Sequence, residues 1–267
     1  MTIVFIGGGN MASAIIGGLI NRGHPAADIL VVDPNPAARE NCEQTHDVRT
    51  TPALDQTLAA GSACVLAVKP QVMQAVCKSI APLVGKALII SIAAGSRIAE
   101  LSKWLDGHDH LVRVMPNTPA LVGLGAAGMV ASAAVSAADR ETALAIMSAV
   151  GIAIWLDQES DIDTVTAVTG SGPAYVFRWM EALQQSAESL GLPADKANTL
   201  VLQLVRGAAE LASQSDLPLS KLREQVTSPG GTTAAGLQAM NENGIAAVID
   251  AGVKAAHQRS IELGKSD

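Results

Sequence analysis

The sequence predicts an α/β fold, a doubly wound and mostly parallel sheet, followed by an all-α second half. Three observations carry that prediction. Short β-rich apolar runs alternate with helical stretches through the first part of the chain, a glycine-rich turn joins the first run to the first helix, and strand signals stop from about Asp161. Alternation of this kind puts crossover helices on a parallel sheet, whose ligand lies outside the carboxyl ends of the strands. The expected division is residues 1–158 for the sheet domain and 159–267 for the helical one.

The first apolar run is Ile3–Ile6, and it enters Gly7-Gly8-Gly9-Asn10-Met11-Ala12 directly. A helix is expected from Asn10 to Arg22, then a strand over Ile29–Asp33. This layout is a dinucleotide-binding βαβ unit of Rossmann-like type. Gly7 makes the tight turn, Gly9 lets backbone approach a pyrophosphate, Ala12 permits close helix–strand packing, and Asp33 ends the second strand where a ribose hydroxyl would be read. The pyrophosphate would rest on the helix N-terminus, where unpaired N–H groups and the dipole favour an anion.

Further strands are expected at Ala63–Val68, Ala87–Ser91, Leu111–Met115, Ala126–Val130 and Ile152–Leu156. The intervening helices are placed near Ala37–Gln44, Gln71–Ile80, Ile98–Leu105 and Ala137–Val150. Beyond them the reading is helical throughout: Asp161–Leu190, Ala194–Ser213, Leu219–Val226, Thr232–Asn241 and Ile245–Leu263. Apolar positions such as Ile245, Ile249, Val253 and Ala256 recur at helical spacing, and Gly191-Leu192-Pro193 and Asp216-Leu217-Pro218 supply stops and restarts.

Composition narrows the function classes. A net charge of −7 argues against nucleic acid or an anionic membrane surface as partner. The chain opens without a basic, cleavable leader, and no apolar run reaches the ~18 residues of a membrane span, so a cytoplasmic protein with a small-molecule partner is expected. Cys42, Cys64 and Cys77 show neither paired nor metal-ligand spacing, and no metal is expected. With aromatic residues at 2%, packing must rely on close helix approach.

Three more loops fall at strand ends, where such a fold holds its ligand: Ala67-Val68-Lys69-Pro70, Ala93-Ala94-Gly95 and Met115-Pro116-Asn117-Thr118-Pro119. Lys69 is either a solvated charge or a balance for phosphate. Asn117 either caps a turn or bonds a carboxamide. In the helical half, Ser228-Pro229-Gly230-Gly231-Thr232-Thr233 precedes a helix, so the N–H groups of Gly231, Thr232 and Thr233 can converge on a carboxylate.

The stretch Thr227–Leu237 with Met240-Asn241 resembles the signature of pyrroline-5-carboxylate reductases. The glycine turn, the three strand-end loops and Gly170-Ser171-Gly172-Pro173-Ala174-Tyr175 also match that family in order and spacing, over essentially the whole chain. The resemblance implies reduction of 1-pyrroline-5-carboxylate to L-proline by NADPH or NADH, the last step of proline biosynthesis. It also implies that the helical domain pairs two subunits into a homodimer. Carried onto this sequence, it gives a cofactor set of Ile6, Gly7, Gly9, Asn10, Met11, Asp33, Ala67, Val68, Lys69, Pro70, Ala93, Ala94 and Asn117. The substrate set is Ser228 to Thr233, and Thr233 is the residue nearest the chemistry, its hydroxyl orienting the ring nitrogen or relaying a proton.

Two other readings compete. β-Hydroxyacid dehydrogenases resemble GxGxxxKxxxN in the interdomain helix, but here Val176 and Met180 stand at the Lys and Asn positions. A nucleotide-binding scaffold without turnover would not need the substrate loop. His24, His46, His108, His110 and His257 fall in none of the loops, so no catalytic histidine is expected. Asp33 hints at NADH, because a carboxylate repels a 2′-phosphate unless a cation such as Arg39 intervenes.

Overall fold

A computed structural model of the chain describes residues 1–59 and 61–265. The described strands are β1 (Ile3–Ile6), β2 (Ile29–Val32), β3 (Arg49–Thr51), β4 (Ala63–Leu66), β5 (Leu88–Ser91), β6 (Leu111–Met115), β7 (Gly125–Ala131) and β8 (Gly151–Trp155). They form one sheet in the order β3-β2-β1-β4-β5-β6-β7-β8. From β3 to β6 all pairings are parallel, β7 runs antiparallel to β6, and β8 is parallel to β7. The strand order reverses direction at β1, between β2 and β4, which is the switch point where this topology opens a crevice.

The alternation of strand side chains builds two core layers. Ile3 and Phe5 point to one face with Ile15, Ile16 and Val31, and Val4 and Ile6 to the other with Leu66, Met73 and Cys77. Both faces are covered by helices: α1 (Asn10–Asn21), α2 (Pro36–His46), α3 (Pro70–Ile80), α4 (Ile98–Trp104) and α5 (Ala137–Ser148). Because β1, β4 and β5 are buried on both faces, they read as unbroken apolar runs, which is why sequence placed them correctly. β3 escaped that reading because Arg49-Thr50-Thr51 is polar and only edge-paired.

The helical run starts near Asp161 as expected, but not as one helix. α6 (Asp161–Val165) passes into a π turn at Thr166–Gly170, and α7 (Gly172–Ser189) follows. Pro173 lacks the N–H that would continue the ladder, and Ser171 N–H instead bonds the Thr166 carbonyl at 2.8 Å. α8 (Ala194–Ser213), α9 (Leu219–Gln225), α10 (Thr232–Glu242) and α11 (Ile245–Leu263) complete the chain. Gly191, at φ 97°, follows the end of α7 and begins the Gly-Leu-Pro stop.

Two compact units result. One comprises Met1–Ser171 and the chain from Ala256 onward, and the other Gly172–Ala255. The first keeps α6 and the π turn because Ile162, Asp163 and Ala167 are buried in it. In the second, α7 packs on α8. Phe177, Leu200, Leu211 and Val248 remain more than half exposed there.

Candidate functional site

The glycine turn shows why each glycine stands where it does. Gly7 adopts φ 104°, and a Cβ there would lie 2.7 Å from the Ala67 carbonyl oxygen. Its N–H donates to the Val32 carbonyl at 2.8 Å, closing the turn between β1 and β2. Gly9, the N-cap of α1, has no atom within 4 Å of where a Cβ would sit, and no side chain caps the helix. The first N–H groups of α1 are therefore left without a side-chain cap among the described residues. Ala12 is buried against the sheet as expected, and Met11 packs on the same core.

Asp33 is fixed by the turn it faces. One carboxylate oxygen accepts the Gly8 N–H at 2.8 Å and the other accepts the Asn35 N–H at 2.8 Å. Arg39 donates its Nη1 to the Asp33 carbonyl at 2.7 Å, so a cation sits on the same turn. Asn35 in turn caps α2, accepting the Ala37 N–H, with Pro36 at the first helical position.

Ile6, Gly7, Gly9, Asp33, Ala67, Val68 and Lys69 line one cavity of about 590 Å³, completed by Pro34, Leu54, Val72 and Val76. Lys69 is exposed and makes no ion pair among the described residues; Pro70, next to it, starts α3. Sequence reasoning missed the apolar wall. The signal was available: Val72 and Val76 share one face of α3 beside the buried Met73 and Cys77, a stripe too wide for core packing alone.

The remaining expected cofactor residues lie elsewhere on the first unit. Asn10 borders a second groove with Ser13 and His46. Ala93 and Ala94 follow β5, Ala93 buried and Ala94 half-buried. The Asn117 side chain is engaged within the first unit. Its Oδ1 accepts the Ala126 N–H at 2.8 Å and its Nδ2 donates to the Thr169 carbonyl at 3.1 Å. The side chain joins the start of β7 to the π turn, leaving a single amide N–H for any ligand.

In the second unit, Ser228 to Gly231 form the turn into α10. Gly230 takes φ 69°, and Gly231 is the N-cap, without a side-chain cap. The Gly231 N–H is spent on the Ser228 carbonyl at 3.1 Å, so the expected anion contact reduces to the groups that follow it. Thr232 and Thr233 are exposed, and neither hydroxyl has a hydrogen-bond partner among the described residues.

The cysteines are core filler. Burial pushes the Cys64 thiol up to about 12 and Cys77 up to about 11, while Cys42 is raised by burial and by the nearby Asp33 and Glu43 carboxylates. No group of three or more His, Cys, Asp or Glu among the described residues could hold a metal, and no described helix is long and apolar enough to cross a membrane.

Two family models match the chain, and the C-terminal one begins at residue 159, inside the first compact unit, which extends to Ser171. Residues 159–263 match the family model described as pyrroline-5-carboxylate reductase dimerisation, and residues 2–95 match NADP oxidoreductase, coenzyme F420-dependent. The chain is 47% identical to the pyrroline-5-carboxylate reductase of Pseudomonas aeruginosa over 264 residues, covering 98% of this chain and 97% of that one. It is 40% identical to that of Synechocystis, covering 97% of each. Among solved structures, a Coxiella burnetii pyrroline-5-carboxylate reductase superposes with a TM-score of 0.93 at 38% identity, covering 99% of both chains. A Plasmodium falciparum pyrroline carboxylate reductase with NADP bound gives 0.84 at 29% identity, covering 99% of this chain and 98% of that one.

Proposed function

This chain belongs to the pyrroline-5-carboxylate reductase family, and from that premise we propose how its own residues serve the reaction. It is an oxidoreductase that reduces 1-pyrroline-5-carboxylate to L-proline at the expense of NAD(P)H. The bound dinucleotide supplies the hydride for the C=N carbon. The protein supplies position, and a cyclic imine that is already electrophilic needs little else.

The cavity beside Gly9 fits a dinucleotide. The side-chain-free surface of Gly7 and Gly9 leaves room for pyrophosphate on the N-terminus of α1, with Ile6 lining the same cavity and Asn10 and Met11 supplying the first N–H groups of the helix. Ala67, Val68 and Pro70 form the adjoining wall, and the Lys69 ammonium balances phosphate charge. Ala93, Ala94 and the one spare N–H of Asn117 serve the nicotinamide side.

The observation that carries the cofactor reading is the clasped Asp33 carboxylate on the cavity wall. Held by two backbone N–H groups, it retains lone pairs for a ribose 2′-hydroxyl and repels a 2′-phosphate. We therefore assign NADH as the better donor. Arg39, fastened to the same turn, lets NADPH bind as well.

In the second unit, the N–H groups of Thr232 and Thr233 at the start of α10 hold the substrate carboxylate, within a turn shaped by Ser228, Pro229, Gly230 and Gly231. The free Thr233 hydroxyl orients the ring nitrogen. A threonine ionises far above neutral pH, so it relays or orients while water or the protonated imine provides the proton. Exposed apolar side chains on α7, α8 and α11 are covered by a second copy, giving a homodimer through residues 159–267, and the enzyme works in the cytoplasm.

The test is the loss of nicotinamide absorbance with 1-pyrroline-5-carboxylate, run in parallel with NADH and NADPH and with proline identified as product. Faster turnover with NADH is expected. A folded protein that binds dinucleotide and turns over neither would overturn the substrate reading, and a strong NADPH preference would overturn the role given to Asp33.

A further inference from the structure

We propose that Arg97 is a positioning residue for the loop Ala93-Ala94-Gly95, and that the last turn of α11 is the abutment it is fastened to. The inference rests on the reading that this loop meets the nicotinamide half of the dinucleotide.

The loop cannot hold itself. Its side chains end at Cβ, and Gly95 takes φ 84°, so its course is set by what grips the residues that follow. Arg97 provides that grip. Its Nη2 donates to Asp163 Oδ2 at 3.0 Å and its Nε to the Gly264 carbonyl at 3.2 Å. Asp163 is buried, and its second oxygen accepts the Ser260 hydroxyl at 2.7 Å. The backbone is held at the same point, because Arg97 N–H donates to Glu100 and Ile98 N–H to Glu159 Oε1 at 2.8 Å. That Glu159 oxygen also accepts from Arg113, whose side chain is buried in β6.

The abutment is fitted to the guanidinium. A Cβ at Gly264 would stand 2.9 Å from Arg97 Nε, so the terminal turn of α11 presents bare backbone there. A Cβ at Gly95 would lie 3.6 Å from the Leu263 carbonyl oxygen, which puts the loop itself on the same turn. Ser260, Leu263 and Gly264 therefore belong to the frame of the cofactor loop, although they stand more than 160 residues from it in sequence.

Steady-state kinetics and fluorescence titration with dinucleotide on the full chain test this. Arg97→Met alone strands the buried Asp163 carboxylate, so it is paired with Arg97→Met/Asp163→Asn, which removes the charge and keeps an acceptor for Ser260. Both variants are expected to raise KM and Kd for the dinucleotide about tenfold, with kcat and the KM for the imine changed by less than about twofold. Arg97→Lys should recover part of the affinity, because an ammonium can meet Asp163 but not Gly264 as well. Wild-type dinucleotide affinity in the folded double variant overturns the proposal, as does a uniform fall in every parameter with the folded fraction. Ala94→Val separates the two layers of the argument. Weakened dinucleotide binding in Ala94→Val with none in the double variant defeats the positioning role alone, and no effect in either removes the loop from the cofactor site and the proposal with it.

Discussion

Asn117 and Thr169 are joined by a 3.1 Å hydrogen bond from the side-chain amide to a carbonyl for which Pro173, four residues on, has no N–H to offer. The amide of one loop thus closes an accounting gap left by a proline in another. Asn117→Ala leaves both that carbonyl and the Ala126 N–H unpaired. A loss of about 1–3 kcal/mol is expected from urea unfolding, and an unchanged midpoint would show that water replaces both contacts.

Gly7 and Gly9 should respond in opposite ways to the same added methyl. At Gly7 the methyl meets the Ala67 carbonyl on a positive-φ backbone, so Gly7→Ala is expected to lower Tm sharply. At Gly9 the methyl meets no protein atom and φ is −73°, so the fold is kept. Only the approach of pyrophosphate is obstructed, and Gly9→Ala should weaken dinucleotide binding by about tenfold or more at unchanged Tm. Equal affinity in that variant would move the pyrophosphate elsewhere.

Asp33→Asn and Arg39→Met should shift cofactor choice in opposite directions. The first keeps an acceptor for the Gly8 N–H while removing the charge, and is expected to raise the ratio of NADPH to NADH turnover about tenfold. The second removes the cation beside the Asp33 carbonyl and should lower the same ratio. A ratio indifferent to both would dissociate this turn from the adenosine ribose.

Thr233→Ala is expected to reduce kcat roughly 10- to 100-fold, short of the full range for an acid–base group, and to leave dinucleotide affinity intact. Thr233→Ser should restore most of the rate. Loss of dinucleotide affinity in Thr233→Ala would contradict a role confined to substrate.

Burial holds His24, His46 and His108 below the ordinary value of 6.5, with the N-terminal ammonium adding to the effect at His24. Each therefore binds fewer protons folded than unfolded once pH falls towards 6.5. Stability should drop as pH is lowered through about 6.5 and level off below the folded values. Urea midpoints at about pH 7 and about pH 5.5 measure this. His46→Gln, which keeps a partner for the Ser13 hydroxyl, should reduce the difference.

Sequence was most legible where physics is short-range. Unbroken apolar runs gave β1, β4 and β5, because strands buried on both faces leave no polar interruption. Helical spacing with Pro and Gly punctuation gave α8 and α11 to the residue, and the order of glycine and proline loops gave the family. Three polar residues at an edge hid β3, and the π turn was invisible because one added residue in a turn leaves the helical pattern on either side nearly unchanged.

By itself, then, the sequence determined the succession of elements, the two-part architecture, the glycine turn and the chemistry it serves, since propensity, periodicity and steric freedom act within a few residues. Tertiary structure alone decided the partners of its polar groups. Asp33 clasps Gly8 across 25 residues, Asn117 reaches Thr169 across 52, and Asp163 joins Arg97 across 66 and Ser260 across 97. A donor or acceptor carries no mark of its partner in sequence. It acquires one only when burial removes water and leaves the nearest polar atom, however distant in the chain, to take water's place.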